Sequence, residues 1–306
     1  MFDTFKNRLE ITGKLTTITA LRISAGRSTE TIGTDLPVIK DALGQPLIPG
    51  SSFKGAMRSR LESFLRGIDS SFAANPAIEA EWSITNERMN GENGLKKEVE
   101  KELEQYPQEE RAAKKDQLLT DKIINETDLI SLLFGSPWIA SKFQVRDLTI
   151  VDNTWFGQYQ ERDGVAIDRD TETAADGKLY DFQVVPAETL FEFKAVVENA
   201  KPWELGLLMI GLHQFETEQI PLGGGRSRGL GVVKLDIREM WWFDYPENKP
   251  EELLDYLQRL VQGDKNHYLC NQEQLESHKH NWTQALINYL RDNIPKNSTT
   301  TTQTQS

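Results

Sequence analysis

The chain has 306 residues, of which 38% are hydrophobic, and this length suffices for one substantial core or two smaller ones. Its single cysteine, Cys270, excludes an intramolecular disulfide framework, and the lack of an apolar run of about 18 residues predicts a cytoplasmic protein without membrane contact. The formal net charge of −12 excludes nucleic-acid binding over the whole surface, although residues 1–72 alone carry ten Lys and Arg against seven Asp and Glu.

The first predicted elements are a strand and a long loop. Residues 9–23 alternate apolar and polar side chains, which predicts a strand. Residues 33–50 then contain prolines and glycines that stop both helix and strand. This loop contains two carboxylates. Asp35 lies in its flexible part, and Asp41 is interpreted as a turn former before Gly44.

A helix over about 51–67 follows, with Ser51 or Ser52 predicted as its N-cap. Lys54 and Arg58 lie four residues apart and therefore share one face. The apolar side chains that recur at helical spacing and predict a buried stripe are Phe53, Met57, Leu61, Phe64 and Leu65. A helix N-terminus with two cations suits a phosphate. The alternative is a capped surface helix with solvated cations.

The middle of the chain predicts an insertion and a hairpin. Residues 73–125 form a helical insertion, in which the charge-dense run 92–122 predicts solvent-exposed helices broken near Pro107. A short helix at 126–134 and a strand at 142–151 come next. The polar segment at about 157–183 predicts a protruding hairpin, either free to act as a wedge or packed on its own domain. Its apolar side chains are Val165, Ile167, Leu179 and Tyr180.

The remaining elements complete an α+β core. A strand at 188–198, a helix at 201–215 and a strand at 231–238 give a ferredoxin-like βαββαβ order, the fold of RNA-recognition-motif (RRM-like) domains, without their aromatic RNA-binding signatures. A glycine-rich loop precedes the last strand, and it is either a phosphate-binding loop or a plain hairpin turn. Its candidate binding residues are Gly224, Gly225, Arg226, Ser227 and Arg228.

The C-terminal part predicts a helical cap at 239–293, with helices at about 250–262 and 272–292. Trp241 and Trp242 are expected to pack within this cap. Residues 294–306 are rich in Thr, Gln and Ser and predict a disordered tail.

Four segments together resemble a known family. They are VIKDALGQPLIPGSSFKGAMRSRLE, LFGSPWIASKFQVRD, GVAIDRDTETAADGKLYDFQVVP and LGGGRSRGLGVVKL. In this order they resemble the RAMP superfamily and, within it, the repeated backbone subunit of type III CRISPR effector complexes. The resemblance covers the predicted core, 1–72 and 126–238, most clearly from residue 8 onward. Residues 73–125 and 239–306 carry no family motif.

The resemblance implies binding of CRISPR guide RNA and target RNA, together with other RAMP subunits and the large subunit of such a complex. It implies guide contacts from Ser51, Ser52, Lys54, Arg58 and the glycine loop, and a thumb that wedges into the guide–target duplex through Val165, Ile167, Leu179 and Tyr180.

For the chemistry, the resemblance implies that Asp35 serves target-RNA cleavage that depends on Mg²⁺ or another divalent metal, as a metal ligand or as a base on the ribose 2′-OH. Two alternatives stay open. One is a non-catalytic structural subunit of the same complex. The other is a standalone RNA-processing endonuclease, which would use a histidine such as His213 near the glycine loop.

Overall fold

The computed structural model of the chain describes residues 4–24, 26, 36–167, 174–246 and 248–294, and for residues 165–167 and 174–180 it describes the backbone alone. Asp35 and residues 295–306 of the predicted tail therefore lie outside the described residues. No helix within these ranges is long and apolar enough to cross a membrane.

Six strands and eight α-helices make up the described chain. The strands are β1 (Asn7–Thr17), β2 (Phe143–Val145), β3 (Gln160–Ile167), β4 (Ala174–Val184), β5 (Leu190–Glu198) and β6 (Val233–Asp244). The helices are α1 (Gly50–Ile68), α2 (Asn86–Asn90), α3 (Leu95–Leu103), α4 (Arg111–Glu126), α5 (Leu129–Phe134), α6 (Pro202–Glu216), α7 (Pro250–Gln262) and α8 (Gln272–Asn293).

The main sheet has the strand order β2–β5–β1–β6, and all neighbouring strands run antiparallel. With α1 between β1 and β2 and α6 between β5 and β6, this is the ferredoxin-like βαββαβ arrangement. The hairpin β3–β4 follows β2 and precedes β5 along the chain, and it forms a separate two-stranded sheet. The predicted α+β fold class is confirmed.

The core lies between the sheet and the helices α1 and α6. Phe53 of α1 stacks on Phe215 of α6 with ring centroids 4.1 Å apart, and it also meets Phe193 of β5 at 5.0 Å. Four members of the predicted stripe on α1 are buried. Phe64 is 39% exposed instead, with the guanidinium of Arg60 lying 4.7 Å from its ring centroid. Its inclusion in the buried stripe was wrong, because its position on the helix turns it away from the sheet.

Two predicted strands are shorter in the structure. β1 ends at Thr17, where the Thr17 hydroxyl donates to the carbonyl of Pro186 and the chain bends so that the Ile18 amide donates to Val232. β2 ends at Val145, and the rest of the predicted strand to residue 151 forms only isolated bridges. Beyond Val145 the chain leaves the sheet, and the Asp147 side chain accepts a hydrogen bond from the Gly50 amide at the start of α1.

The insertion has its own small core. Helices α3 and α4 lie on either side of Pro107, as predicted, but they are not wholly solvent-exposed. The apolar side chains of α3 at Leu95, Val99 and Leu103 are buried, and Leu95 clusters with Ile84 and Met89.

The C-terminal part begins later than the sequence indicates, because β6 continues to Asp244 by pairing with β1. Trp241 and Trp242 therefore lie in a strand, although Trp242 still contacts Trp282 of α8 at 5.2 Å between ring centroids. Helix α8 packs against α6, where Trp203 and Tyr289 stack at 4.6 Å. Helices α7 and α8 occupy the predicted ranges.

Candidate nucleic-acid interface

Helix α1 begins at Gly50, directly after its N-cap residue Pro49, which makes no side-chain capping bond. The prediction of Ser51 or Ser52 as N-cap was wrong. The helix starts one residue earlier because the Gly50 amide donates to Oδ1 of Asp147 at 2.8 Å. Gly50 also lies so close to the end of β2 that a Cβ atom there would sit 2.4 Å from the Val145 carbonyl oxygen.

Asp147 changes the electrostatics of this helix N-terminus. Its carboxylate takes one of the amide donors that an anion would use, and its negative charge offsets part of the helix dipole. Ser51 is exposed and Ser52 is half-buried, so both hydroxyls remain near the surface. Their contact with guide RNA stays a prediction. The neighbouring carboxylate makes the helix terminus itself less attractive to a phosphate.

Lys54 is held against the loop after α5. Its Nζ donates to the hydroxyl of Ser141 at 2.6 Å, and Ser141 in turn donates to the carbonyl of Phe143 at 2.7 Å. Burial, with a smaller effect from the Arg58 charge, lowers the pKa of Lys54 to about 8. Lys54 is therefore a cation that titrates near neutral pH.

Arg58 is engaged inside the protein. Its Nε donates to Oε1 of the buried Glu62 at 2.7 Å, and its terminal nitrogens donate to the Gly135 carbonyl at 3.0 Å and the Ser131 hydroxyl at 3.3 Å. Only 19% of its side chain is exposed. The predicted RNA contact of Arg58 stays a prediction, but the side chain also fixes the C-terminal end of α5 against α1.

The glycine loop presents its basic residues at the surface. Arg226, Ser227 and Arg228 form one exposed turn of 3₁₀-helix. Gly224 is exposed next to it, and Gly225 has a left-handed conformation with φ of 78°. These five residues match the surface location expected of a phosphate-binding loop, and their RNA contacts remain predictions.

The glycine loop is fixed to the loop that leads into α1. The Gly224 amide donates to the Arg22 carbonyl at 2.8 Å, and the Ile39 amide donates to the Ile23 carbonyl at 2.9 Å. Gly223, with φ of 73°, packs so closely on Arg22 that a Cβ would lie 2.1 Å from its carbonyl oxygen, so only glycine fits. The backbone at residues 22–23 therefore joins the two loops.

Arg22 is a candidate that the sequence reasoning missed. Its guanidinium lies 4.6 Å from the ring centroid of Phe182 in β4, and its carbonyl holds the glycine loop. Neither contact has a local sequence signal, because the residues involved are far apart in the chain. The location between glycine loop and hairpin makes Arg22 a candidate RNA-contacting cation.

The loop that follows Asp35 is attached to the base of the hairpin. The Leu36 amide donates to the Asp181 carbonyl at 3.2 Å, and the Gln183 amide donates to the Leu36 carbonyl at 3.1 Å. Although Asp35 is outside the described residues, its neighbour therefore lies against β4.

A second attachment lies further along the same loop. The Tyr159 hydroxyl donates to the Gly44 carbonyl at 2.6 Å, and Nζ of Lys40 lies 4.4 Å from the centroid of the Tyr159 ring. Burial, with a smaller effect from Asp41, raises the pKa of Tyr159 to about 12, which keeps its hydroxyl protonated as a donor. Asp41 accepts the Leu43 and Gln45 amides at 2.9 Å each, as expected for a turn former.

The four predicted wedge residues lie on the hairpin. Val165 of β3 pairs with Leu179 of β4, Tyr180 pairs with Gly164, and Ile167 pairs with Ala174 beyond an irregularity in the ladder. Their side chains lie outside the described part of the structure, so the wedge assignment stays a prediction.

The described residues do not by themselves form a metal site. No group of three or more His, Cys, Asp or Glu side chains within these ranges is arranged to hold a metal ion. Asp41 and Asp147 both use their carboxylates for backbone amides. A divalent ion here would depend on Asp35 together with oxygen atoms of RNA and water, which is a common way of binding Mg²⁺.

Comparison with known proteins decides the family. The family model described as the RAMP superfamily matches residues 14–234. The chain belongs to the RAMP superfamily. In this RAMP protein the match spans α1, the insertion, the hairpin and the glycine loop, and it ends before α7 and α8.

Curated relatives of this RAMP protein share one name, CRISPR system Cms endoribonuclease Csm3. The protein of Enterococcus italicus is 27% identical over 234 residues, which cover 76% of this chain and 91% of the relative. The Mycobacterium tuberculosis protein is 48% identical over 56 residues, 18% of this chain and 24% of the relative. The Methanocaldococcus jannaschii protein is 45% identical over 60 residues, 19% of this chain and 24% of the relative.

Proposed function

We propose that this RAMP protein is a guide-RNA-binding backbone subunit of a type III CRISPR complex and that it cleaves RNA complementary to the guide. The observation that carries the proposal is the similarity to the Enterococcus italicus endoribonuclease Csm3, which extends over 91% of that relative. The arrangement of the glycine loop and the loop that leads into α1 supports it, because the backbone at residues 22–23 bonds to both of them.

In this proposal the exposed arginines of the glycine loop and Lys54 bind guide phosphates. Arg226 and Arg228 present planar guanidinium groups suited to bidentate phosphate contacts, and Lys54 adds a partly buried cation. Because phosphate contacts carry no base information, the chain would hold guides of any sequence. The net charge of −12 repels RNA from the rest of the surface and so restricts RNA to this region.

For cleavage, Asp35 acts as the base that removes the proton from a ribose 2′-OH. The 2′-oxygen attacks the adjacent phosphorus, the bond between phosphorus and the 5′-oxygen breaks, and the leaving 5′-oxygen takes a proton from water. The products are a 2′,3′-cyclic phosphate and a 5′-hydroxyl. Asp35 and RNA oxygens would hold a divalent metal such as Mg²⁺, which supplies charge stabilisation at the phosphate when bound. The hairpin to which the loop is attached would position the RNA backbone.

The standalone endonuclease receives no support from the histidines. His213 lies beside Glu216 on α6, His267 contacts Tyr268, and His278 stacks on Trp282. None of these contacts is with the glycine loop. The non-catalytic structural subunit differs from the proposed function only in the role of Asp35, which is tested in the first prediction of the Discussion.

The salt dependence of RNA binding tests the phosphate surface. Replacing Arg226 and Arg228 together with Ala should flatten the slope of log K against log salt by about 1.4, since each lost phosphate contact in single-stranded RNA contributes about 0.7. The measurement is equilibrium binding of a short RNA at several salt concentrations.

The matched control replaces Lys97 of α3 and Lys249 at the start of α7 with Ala, because both are exposed and each pairs with a glutamate three residues further along, Glu100 and Glu252. It removes the same charge and should leave the slope unchanged. Equal slopes in the arginine variant, the control and the wild type would refute the phosphate-binding role of the glycine loop.

The lowered pKa of Lys54 predicts a pH dependence of binding. RNA affinity should fall by about tenfold between about pH 7 and about pH 9, because a lysine with a pKa of about 8 loses its proton over this range. An RNA of adenosine and cytidine should be used, since its bases do not titrate there. The Lys54→Met variant keeps the aliphatic packing and should show weaker but pH-independent binding. A parallel fall in both proteins would exclude Lys54 as the titrating contact.

A further inference from the structure

A cavity of about 460 Å³ lies between α1, α5 and the beginning of the insertion. Its volume falls in the range of small-molecule sites. We name it the α1–α5 pocket, and the residues that define it here are Arg58, Trp82, Ser131, Ser136, Trp138 and Ser141. Two of them, Trp82 and Trp138, are large aromatic side chains that no step of the proposed cleavage uses.

Both tryptophans are held in place by their indole nitrogens. Nε1 of Trp82 donates to the Pro76 carbonyl at 3.2 Å, and Nε1 of Trp138 donates to the Ile84 carbonyl at 2.8 Å. Both rings are only half-buried. Fixed, partly exposed indole rings on a concave surface provide stacking platforms for a planar group at little cost in side-chain entropy.

The polar groups of the pocket are also fixed. The Arg58 guanidinium is oriented by Gly135 and Ser131, and the Ser136 hydroxyl accepts the Trp138 amide at 3.2 Å. Among the described residues, Asp128 supplies the only carboxylate that lines the pocket, and it already accepts bonds from the Ser83 hydroxyl and the Ser131 amide. The lining is therefore close to neutral, which suits an uncharged planar ligand that carries hydrogen-bonding groups.

Lys54, the cation that the proposed function assigns to a guide phosphate, lies at the edge of the same pocket. Ser141 lines the cavity and also accepts the hydrogen bond from Nζ of Lys54. A nucleotide whose phosphate contacts Lys54 would thus have its base next to the pocket. Single-stranded RNA is commonly bound by stacking its bases on aromatic side chains beside a cationic groove.

We propose that the α1–α5 pocket binds one unstacked nucleobase of RNA, stacked on Trp82 and Trp138 and contacted by the polar groups around Arg58. This inference rests on the proposed RNA-binding function. It gives the insertion a direct role in RNA binding through Trp82.

The test is a cycle that combines a protein variant with a changed RNA. Trp82→Ala should weaken binding of a short single-stranded RNA by roughly fivefold to a hundredfold, the usual effect of removing one aromatic stacking partner. Trp82→Phe should restore much of the loss. A set of RNAs should carry one abasic nucleotide at each position in turn. With wild-type protein, one of these RNAs should lose affinity by a similar factor. With Trp82→Ala, the same RNA should bind as well as the intact RNA does.

Trp241→Ala serves as the matched control, because this half-buried tryptophan lies on β6, near Lys265 and away from the pocket. It should leave RNA affinity unchanged. The salt slope should be the same in wild type and Trp82→Ala, since the phosphate contacts remain.

The possible outcomes distinguish a failure of the pocket assignment from a failure of the proposed RNA-binding function. Normal RNA affinity of Trp82→Ala, with a normal response to abasic RNA, would overturn the pocket assignment and leave the proposed function intact. Loss of subunit assembly without loss of RNA affinity would also overturn it and indicate a protein side chain as the occupant. Failure of the wild-type chain and its complex to bind RNA at all would overturn the proposed function itself.

Discussion

Asp35→Asn should abolish target-RNA cleavage while folding, assembly and target affinity stay close to wild type. Asparagine has nearly the same size as aspartate, so a loop position tolerates it, but it cannot accept a proton or hold a metal as a carboxylate does. General acid–base catalysis typically contributes roughly a hundredfold to ten-thousandfold, and a loss of this size is expected. Removing divalent metal from the wild-type complex should have the same effect, and added metal should not rescue the variant.

The measurement is cleavage of end-labelled target RNA by the assembled complex, with binding followed in parallel. Asp41→Asn is the matched control in the same loop, because Oδ1 of Asp41 accepts the Leu43 and Gln45 amides and an asparagine oxygen can do the same. It should cleave normally. Full cleavage by Asp35→Asn would refute the catalytic role of Asp35 and favour the non-catalytic structural subunit. Loss of both binding and cleavage would make Asp35 a structural residue.

A large effect on stability is expected at the buried ion pair between Lys142 and Glu204. Nζ of Lys142 donates to both carboxylate oxygens at 2.7 and 2.6 Å, and the side chains are 5% and 1% exposed. Burial lowers the pKa of Lys142 and raises the pKa of Glu204, so both groups are held in water-poor surroundings. Removing one partner should cost about 3–5 kcal/mol of unfolding free energy, because the other charge stays buried and unpaired.

The single variants are Lys142→Met and Glu204→Gln, where glutamine keeps an oxygen for the Lys201 amide that Glu204 caps. The double variant should recover most of the lost stability, since a buried pair offsets its own desolvation only partly. Urea unfolding curves of the four proteins provide the measurement. A double variant as unstable as the worse single variant would show that packing, not the unpaired charge, causes the loss.

The sequence predicted the elements well where local pattern decides the structure. Phe53, Met57, Leu61 and Leu65 recur at helical spacing and are buried as expected. The turn at Asp41 follows from the short side chain and the glycine after it. The family resemblance rests on the same kind of local signal, in the loop before α1 and in the glycine loop.

The features that the sequence did not predict depend on contacts between distant residues. Asp147 bonds to Gly50, which is 97 residues away, and this contact removes the need for a serine cap. Two of the internal partners of Arg58, Ser131 in α5 and Gly135 at its end, lie 73 and 77 residues away. Trp241 and Trp242 belong to β6 because β1 pairs with them, a tertiary effect that overrides the local pattern.

The double attachment of the loop after Asp35 has a mechanical consequence. Leu36 is bonded on both sides to the backbone of β4, and Gly44 is bonded to Tyr159 just before β3. Two anchors on one hairpin tie residues 36–44 to it, so a displacement of the hairpin would carry Leu36 with it. In the proposed reaction, a duplex that the hairpin cannot enter would therefore also act on Leu36, the residue next to the catalytic one, and an ill-matched RNA would be cut more slowly.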